Sequence, residues 1–154
     1  MAAFSFERTF DLVIIPAATF LYNVDFEDQL ATMTNVDDVL AADGTLALSY
    51  YRPAVSAMCD WYGSEQSRTI ELDGDEHTLY STVSFADEVE RIIRMKADTG
   101  ELVAEATLRA ALVPKREMEL LLCHSGFANY EVYGDFDREP VSDERAHLVW
   151  VAER

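Results

Sequence analysis

Apolar positions along this chain change period twice, and each change predicts a different kind of element. Residues 10–17 (FDLVIIPA) form a near-continuous apolar run that ends around Pro16. Continuous rather than alternating apolarity predicts a strand covered on both faces, as in the middle of a parallel sheet. Over residues 25–42 the period becomes helical: Phe26, Leu30, Met33, Val36 (or Asp37) and Leu40 recur at three and four. Asp25 is placed to cap this helix, with Asp28 three residues on as an imperfect capping box. Asp43-Gly44 is expected to end it, because glycine tolerates the left-handed cap. Residues 45–51 (TLALSYY) read as a second strand. Strand, helix and strand make half of a right-handed α/β unit.

The middle of the chain alternates. Residues 68–72 (RTIEL), 77–85 (HTLYSTVSF) and 89–95 (VERIIRM) change polarity nearly every residue, with turn signals at Asp73-Gly74 and Asp98-Thr99-Gly100. Residues 102–112 (LVAEATLRAAL) have mixed strand and helix character. This stretch predicts an antiparallel meander with one face solvated. The last third returns to a helical period: residues 114–123 (PKREMELLLC) carry Pro at a helix start, then Met118, Leu121 and Leu122. Gly126 is the expected end of that helix. Residues 129–136 and 146–152 read as two further strands, joined through a loop containing Pro140.

Composition narrows the function classes. The chain has 154 residues, 49% of them hydrophobic, which excludes a disordered chain. No run of 18 apolar residues is present, so no segment reads as a membrane span. Twenty-nine acids stand against twelve bases, a net charge of −17. Such a surface repels nucleic acid and anionic lipid, and argues against either as a partner. The bases are ten Arg with only Lys96 and Lys115, and the acids are dispersed. That pattern fits a protein kept soluble in high salt, so a halophilic host is expected, with an ordinary acidic protein as the alternative. Cys59 and Cys123 are two cysteines without disulfide or zinc spacing. They are expected to pack as small apolar residues in a reducing, cytoplasmic compartment, with no metal site.

Six short words occur in order. They are Phe10-Asp11-Leu12-Val13-Ile14-Ile15; Asp43-Gly44-Thr45-Leu46; Tyr50-Tyr51-Arg52-Pro53; Met118-Glu119-Leu120-Leu121 running to Gly126-Phe127; Tyr133-Gly134-Asp135-Phe136-Asp137; and the closing run 145–151. Together they resemble the C-terminal part of class I S-adenosylmethionine-dependent methyltransferases, in particular the small-molecule branch of glycine and amino-sugar N-methyltransferases. The resemblance implies an α/β fold: the C-terminal part of a Rossmann-like sheet, strands four to seven, with an inserted antiparallel β-meander. It implies one partial domain, with residues 1–53 as strand–helix–strand, 54–113 as meander or lid, and 114–154 as a helix and two closing strands. S-adenosylmethionine is the implied cofactor. Pro16, Ala17, Ala18, Thr19 and Phe20 fall where the family lines its cofactor cleft. Tyr50, Tyr51 and Arg52 fall at the carboxyl end of a parallel strand, where substrate is expected. Trp61, Tyr62 and Tyr80 fall in the region of the family's substrate lid.

The chain departs from the family at the cofactor. Its glycines are at 44, 63, 74, 100, 126 and 134, so no Gly-rich loop is present to offer backbone N–H groups to the methionine end. The carboxylate that would hold the ribose is also missing. The resemblance therefore implies a methyltransferase that begins at an internal methionine and lacks roughly one hundred residues of a typical domain. Alignment of acceptor and sulfonium supplies most of the rate in methyl transfer, and a base is needed only to remove a proton. His77, His124 and His147 are candidates for that base by type alone, and no catalytic residue is assigned.

Three functions follow. The first is a methyltransferase acting on a small molecule, inactive without its cofactor-binding half. The second is a non-catalytic interaction module or partner subunit. The third, ranked last because FDLVIIP does not alternate, is a stand-alone small-ligand-binding sheet domain of cyclase or lipocalin type. In the complete fold of that family strand four pairs with strand one; with strand one absent, residues 10–15 are expected to form an apolar sheet edge that invites pairing, as a homodimer or with a complementing subunit, or leaves the chain poorly soluble.

Overall fold

The computed structural model describes residues 4–85, 88–127, 129–142 and 147–154. The chain divides into two compact units. One comprises residues 1–54 and 111–154, and the other residues 55–110.

The first unit is a four-stranded sheet backed by two helices. Its strands are β1 (Phe10–Ile15), β2 (Leu40–Tyr51), β7 (Asn129–Tyr133) and β8 (His147–Glu153), in the order β1-β2-β8-β7. β1 and β2 are parallel, joined through α1 (Phe26–Val39); β8 runs antiparallel to both β2 and β7. β1 and β2 align from Leu12↔Thr45 to Ile15↔Leu48, and β2 and β8 from Thr45↔Glu153 to Tyr51↔His147. Every second residue faces the helices. Ile15, Leu46, Leu48, Tyr50, Leu148, Trp150 and Ala152 are buried there, together with Met33 and Val36 of α1 and Met118, Leu121 and Leu122 of α3 (Lys115–His124).

Three sequence expectations change here. The helical stripe turns: Phe26 is exposed and Leu30 half-buried, while Gln29 and Thr32 are buried. These two polar side chains are accommodated because Gln29 Nε2 donates to the Asn23 carbonyl and Thr32 Oγ1 to that of Asp28. Gly44 is no helix cap. The helix ends at Val39, the chain becomes extended at once at Leu40, and Gly44 lies within β2. A Cβ there would come within 3.0 Å of the Ala41 backbone, so the requirement is for space. Most consequentially, β1 is covered on one face only. Leu12 is 51% and Ile14 60% exposed. Continuous apolarity recorded two buried faces, and this chain's described residues cover one.

The other helix terminus follows the sequence reading. Gly126 has φ +94°, and the Phe127 N–H donates to the Leu122 carbonyl, a six-to-one closure with the following apolar residue fully buried. Asp25 is the α1 cap through its carbonyl, which accepts from the Gln29 N–H, and not through its side chain.

The second unit holds a short helix α2 (Val55–Trp61), which the sequence reading misses, and the strands β3 (Glu65–Leu72), β4 (Asp75–Phe85), β5 (Glu88–Ala97) and β6 (Leu102–Ala111), in that order in one sheet. Residues 102–112, ambiguous by pattern, contribute a strand. β3–β4 and β4–β5 are antiparallel, and Asp73 and Gly74 both take left-handed conformations at the first hairpin. Ile70, Leu79, Met95, Ile93, Val83 and Phe85 fall on one face by register, and Thr69, Thr78, Lys96, Tyr80 and Arg94 on the other. Among the described residues only Val83 is a buried apolar side chain in this unit. Cys59 and Cys123 are both exposed, so neither packs in a core as the sequence suggests.

Candidate functional site

The carboxyl end of β1 enters an unusual turn. Pro16 and Ala17 are exposed, and Ala17 (φ +55°) and Ala18 (φ +61°) are consecutive left-handed residues without being glycine. Such conformations cost on the order of 1–3 kcal/mol each and persist where the surroundings fix them. Here the Ala18 N–H donates to the Ser49 carbonyl at 2.9 Å, and Thr19 Oγ1 donates to the Pro16 carbonyl at 2.6 Å. Phe20 and Leu21, in the single 3-10 turn Thr19–Tyr22, are buried. The buried pair anchors the turn, and the backbone bond ties the ends of the two parallel strands together.

The candidate residues therefore separate into two groups. Pro16, Ala17 and Ala18 follow the end of β1, and the backbone bond of Ala18 brings them beside Ser49 of β2. Phe20 is fully buried. Tyr50 likewise faces the helices and is 1% exposed. Burial pushes its hydroxyl far above the ordinary tyrosine range, opposed in part by the neighbouring Trp150 indole. Neither the hydroxyl nor Trp150 Nε1 makes a hydrogen bond of full geometry. Tyr51, one residue on, lies on the opposite face and is half-buried. Arg52 turns to donate from Nη2 to the Ser142 carbonyl at 2.8 Å.

Register sets the three histidines apart. His147 opens β8 directly opposite Tyr51, with the two rings edge-on at 5.8 Å. The exposed Phe136 ring lies 6.1 Å from the same His147 ring. Tyr133 belongs to the same face, and its hydroxyl donates to Glu131 Oε2 at 2.6 Å, a bond that raises its pKa. His77 by contrast sits at a hairpin, with Nδ1 3.1 Å from the Asp75 carbonyl, and His124 ends α3. No sequence signal distinguishes His147, because its significance comes from a strand partner nearly one hundred residues away. No group of three metal-ligating side chains is present among the described residues. No helix among them is long and apolar enough to cross a membrane.

No protein-family model and no curated protein sequence matches the chain. Solved structures do. The CcbJ methyltransferase from Streptomyces caelestis superposes with a TM-score of 0.77 at 16% identity, covering 98% of this chain and 60% of that one. The sugar N-methyltransferase KedS8 from Streptoalloteichus gives 0.70 at 18% identity, with 99% and 59% covered. An amino pentose methyltransferase from Micromonospora echinaspora, solved with S-adenosylmethionine bound, gives 0.69 at 16% identity, with 99% and 61% covered. The chain is thus similar in fold, over nearly all of its own length and about 60% of theirs, to methyltransferases that include a sugar N-methyltransferase and an amino pentose methyltransferase.

Proposed function

We propose that this chain forms the acceptor side of an S-adenosylmethionine-dependent methyltransferase that modifies a small-molecule amine. In this reading β1, β2, β7 and β8 are the family's strands four, five, six and seven, and β3 to β6 form its inserted meander. The observation that carries it is the tied pair of strand ends. The left-handed Ala17-Ala18 turn, bonded to Ser49, opens the crevice at the carboxyl ends of parallel strands, where α/β sheets bind ligands.

The residues present fit one wall of a cofactor site. Exposed Pro16 and Ala17 leave room for a ligand at the end of β1. The Gly-rich loop and the ribose carboxylate are not among this chain's residues, so S-adenosylmethionine is held only when the rest of the domain supplies them. When bound, the cofactor provides an electrophilic methyl group. Tyr51 supplies an aromatic wall toward a cationic amine, and Arg52 an anion-pairing group near it. His147 takes the ammonium proton, so that a lone pair faces the methyl.

Calorimetric titration of the chain alone with S-adenosylmethionine is expected to give no heat. Saturable binding at millimolar concentration or better overturns the incomplete-site reading. In the completed domain, His147→Asn is expected to lose at least about tenfold in kcat/KM at pH 6–7 and to recover as pH rises and the free amine accumulates. A pH-independent loss removes His147 from the proton path.

A further inference from the structure

The charges of the second unit are sorted by face. Register puts Gln66, Arg68, Leu79, Ser81, Arg91 and Ile93 on one side of β3, β4 and β5. Glu65, Glu71, Glu76, Glu88 and Glu90 all fall on the other side. In these three strands the arginine side holds one carboxylate, Asp75 at the hairpin end, about 13 Å along β4 from Leu79 at the rise of a strand. The remaining bases of the unit have partners: Arg94 pairs with Glu105, Arg109 with Glu88, and Lys96 lies over the Tyr80 ring. Among the described residues no ion pair reaches Arg68 or Arg91. In a chain with twenty-nine acids, these two guanidinium groups stand unneutralised.

The two arginines flank β4 from opposite strands. Ser81 opposes Gln66 of β3 and Ile93 of β5, and Leu79 opposes Arg68. Arg91 leans one pair along, and its Nε donates to Ser81 Oγ at 2.9 Å. These six residues line one open cavity of about 260 Å³. Leu79, Ser81 and Ile93 are half-buried, and Gln66, Arg68 and Arg91 are exposed. The bond from Nε leaves the Nη groups of Arg91 and the whole fork of Arg68 available, and Ser81 Oγ keeps its own proton to donate.

We propose that this cavity binds a small organic carboxylate. The carboxylate sits between Arg68 and Arg91, with Gln66 and Ser81 as further donors, and its apolar body lies on Leu79 and Ile93. β3 and β5 stand about 10 Å apart across β4, a span that two arginine side chains close from either side. Planar forks above an apolar floor match a planar anion with two oxygens. A phosphate asks for donors around three oxygens, which backbone N–H groups supply in nests and which the paired ladder of β4 does not. A second copy centred here about a two-fold axis sets four arginines against one another, so the face does not pair with itself. All six residues belong to the second unit, and the proposal does not require the methyltransferase reading.

The test titrates the full chain with 4-tert-butylbenzoate and follows it by heteronuclear NMR. Saturable shifts are expected at the amides of residues 66–68, 79–81 and 91–93, with half-saturation at about 1 mM or below. Two further ligands separate charge from body. The benzamide of the same ring keeps the body without the charge, and acetate keeps the charge without the body. Each is expected to bind at least about tenfold more weakly. The phosphate monoester of the same ring is expected to bind no tighter than the carboxylate. Arg68→Gln and Arg91→Gln each weaken binding at least about fivefold. Both side chains are exposed, so the rest of the spectrum is expected to stay unchanged and to verify the fold. Arg94→Gln, on the other side of the sheet, leaves the affinity as it is. The proposal is overturned by no saturable shift up to about 10 mM. Equal binding of the benzamide or of acetate overturns it as well, as does a preference for the phosphate, or an Arg68→Gln chain that binds like wild type.

Discussion

The two units of this chain are each built on one four-stranded sheet and differ in what lies behind it. The sheet β1-β2-β8-β7 is backed by α1 and α3, and buries Leu46, Leu48, Leu148 and Trp150 at 2% exposure or less. The sheet β3-β4-β5-β6 has seven-residue α2 and, among the described residues, Val83 alone as a buried apolar side chain. Both sheets follow the alternation their sequences require. Among the described residues, only the first has two helices behind it to turn alternation into an extended core. Pattern sets which face of a strand is apolar, and the layer packed against it sets what that face is worth.

The largest test of this difference is truncation. Trp150→Ala is expected to cost about 3–5 kcal/mol, because it removes the largest fully buried side chain from a layer that cannot collapse around the loss. Ile93→Ala, on a half-buried face of the second unit, is expected to cost less than about 1.5 kcal/mol. Urea unfolding of the two variants measures both. Equal losses mean that the second sheet is covered as well as the first. Hydrogen exchange sharpens the comparison: amides of β2 and β8 are expected to exchange only with global unfolding, and those of β3 and β4 through local opening at lower free energy. Protection of all four strands to the same limit contradicts it.

Next in size is the junction where the first unit closes. Arg154 Nε pairs with Asp37 Oδ1 at 3.1 Å, and Gly126 lies beside the same carboxylate. Gly126→Ala is expected to cost about 1–2 kcal/mol, since an L side chain at φ +94° is strained. In the second unit, Gly100 has φ +83° with open space around its Cα. Gly100→Ala pays the backbone term alone and opens a hairpin that contributes little to global stability. Thermal midpoints separate the two.

The comparison also shows what was legible in the sequence. The patterns at residues 10–17, 25–42 and 114–123 announced β1, α1 and α3, though not their ends, and Gly126 was legible through its position after the last apolar residue. These are local signals, and local physics decides them. The missing cover of β1 was not legible from periodicity. Leu12 and Ile14 carry the composition of a buried strand whichever residues lie nearby, so the run reports a requirement and not whether this chain meets it. The helix phase was misplaced for a similar reason. Gln29 and Thr32 are buried because particular carbonyls accept their hydrogen bonds, which hydropathy does not record. At the candidate site, Pro16–Ala18, Phe20, Tyr50, Tyr51 and Arg52 were named from the order of short words along the chain. Placing Tyr50 on the helix-facing side and His147 opposite Tyr51 required the pairing of β2 with β8.

Tyr50 offers a smaller effect with a sign that distinguishes packing from polarity. Its hydroxyl is buried with no hydrogen bond of full geometry, so Tyr50→Phe removes a desolvation cost while keeping the ring. Stability is expected to stay level or rise by up to about 1 kcal/mol. A loss above about 1 kcal/mol, read from urea midpoints, gives the hydroxyl a partner and makes Tyr50 a polar anchor of the site.

The smallest effects come from acids, and they again divide the units. Glu117 lies in the first turn of α3, where the helix dipole favours its charged form, yet burial raises its pKa above the usual glutamate value. A carboxyl raised on folding favours the native state while protonated. That contribution is present below about pH 4.5 and is lost as pH rises through the raised value. Glu117→Gln removes the loss, so its thermal midpoint is expected to exceed wild type by no more than about 2 °C at pH 7 and to converge with it by pH 4. Glu105 in the second unit pairs with Arg94 at 2.7 Å, but both side chains are exposed by more than a third. Glu105→Gln is expected to change stability by less than about 0.5 kcal/mol at either pH, and less still in molar KCl. A Glu105 variant whose deficit persists in molar salt would mean that the pair is shielded, and hence that the second sheet carries a covering layer of its own.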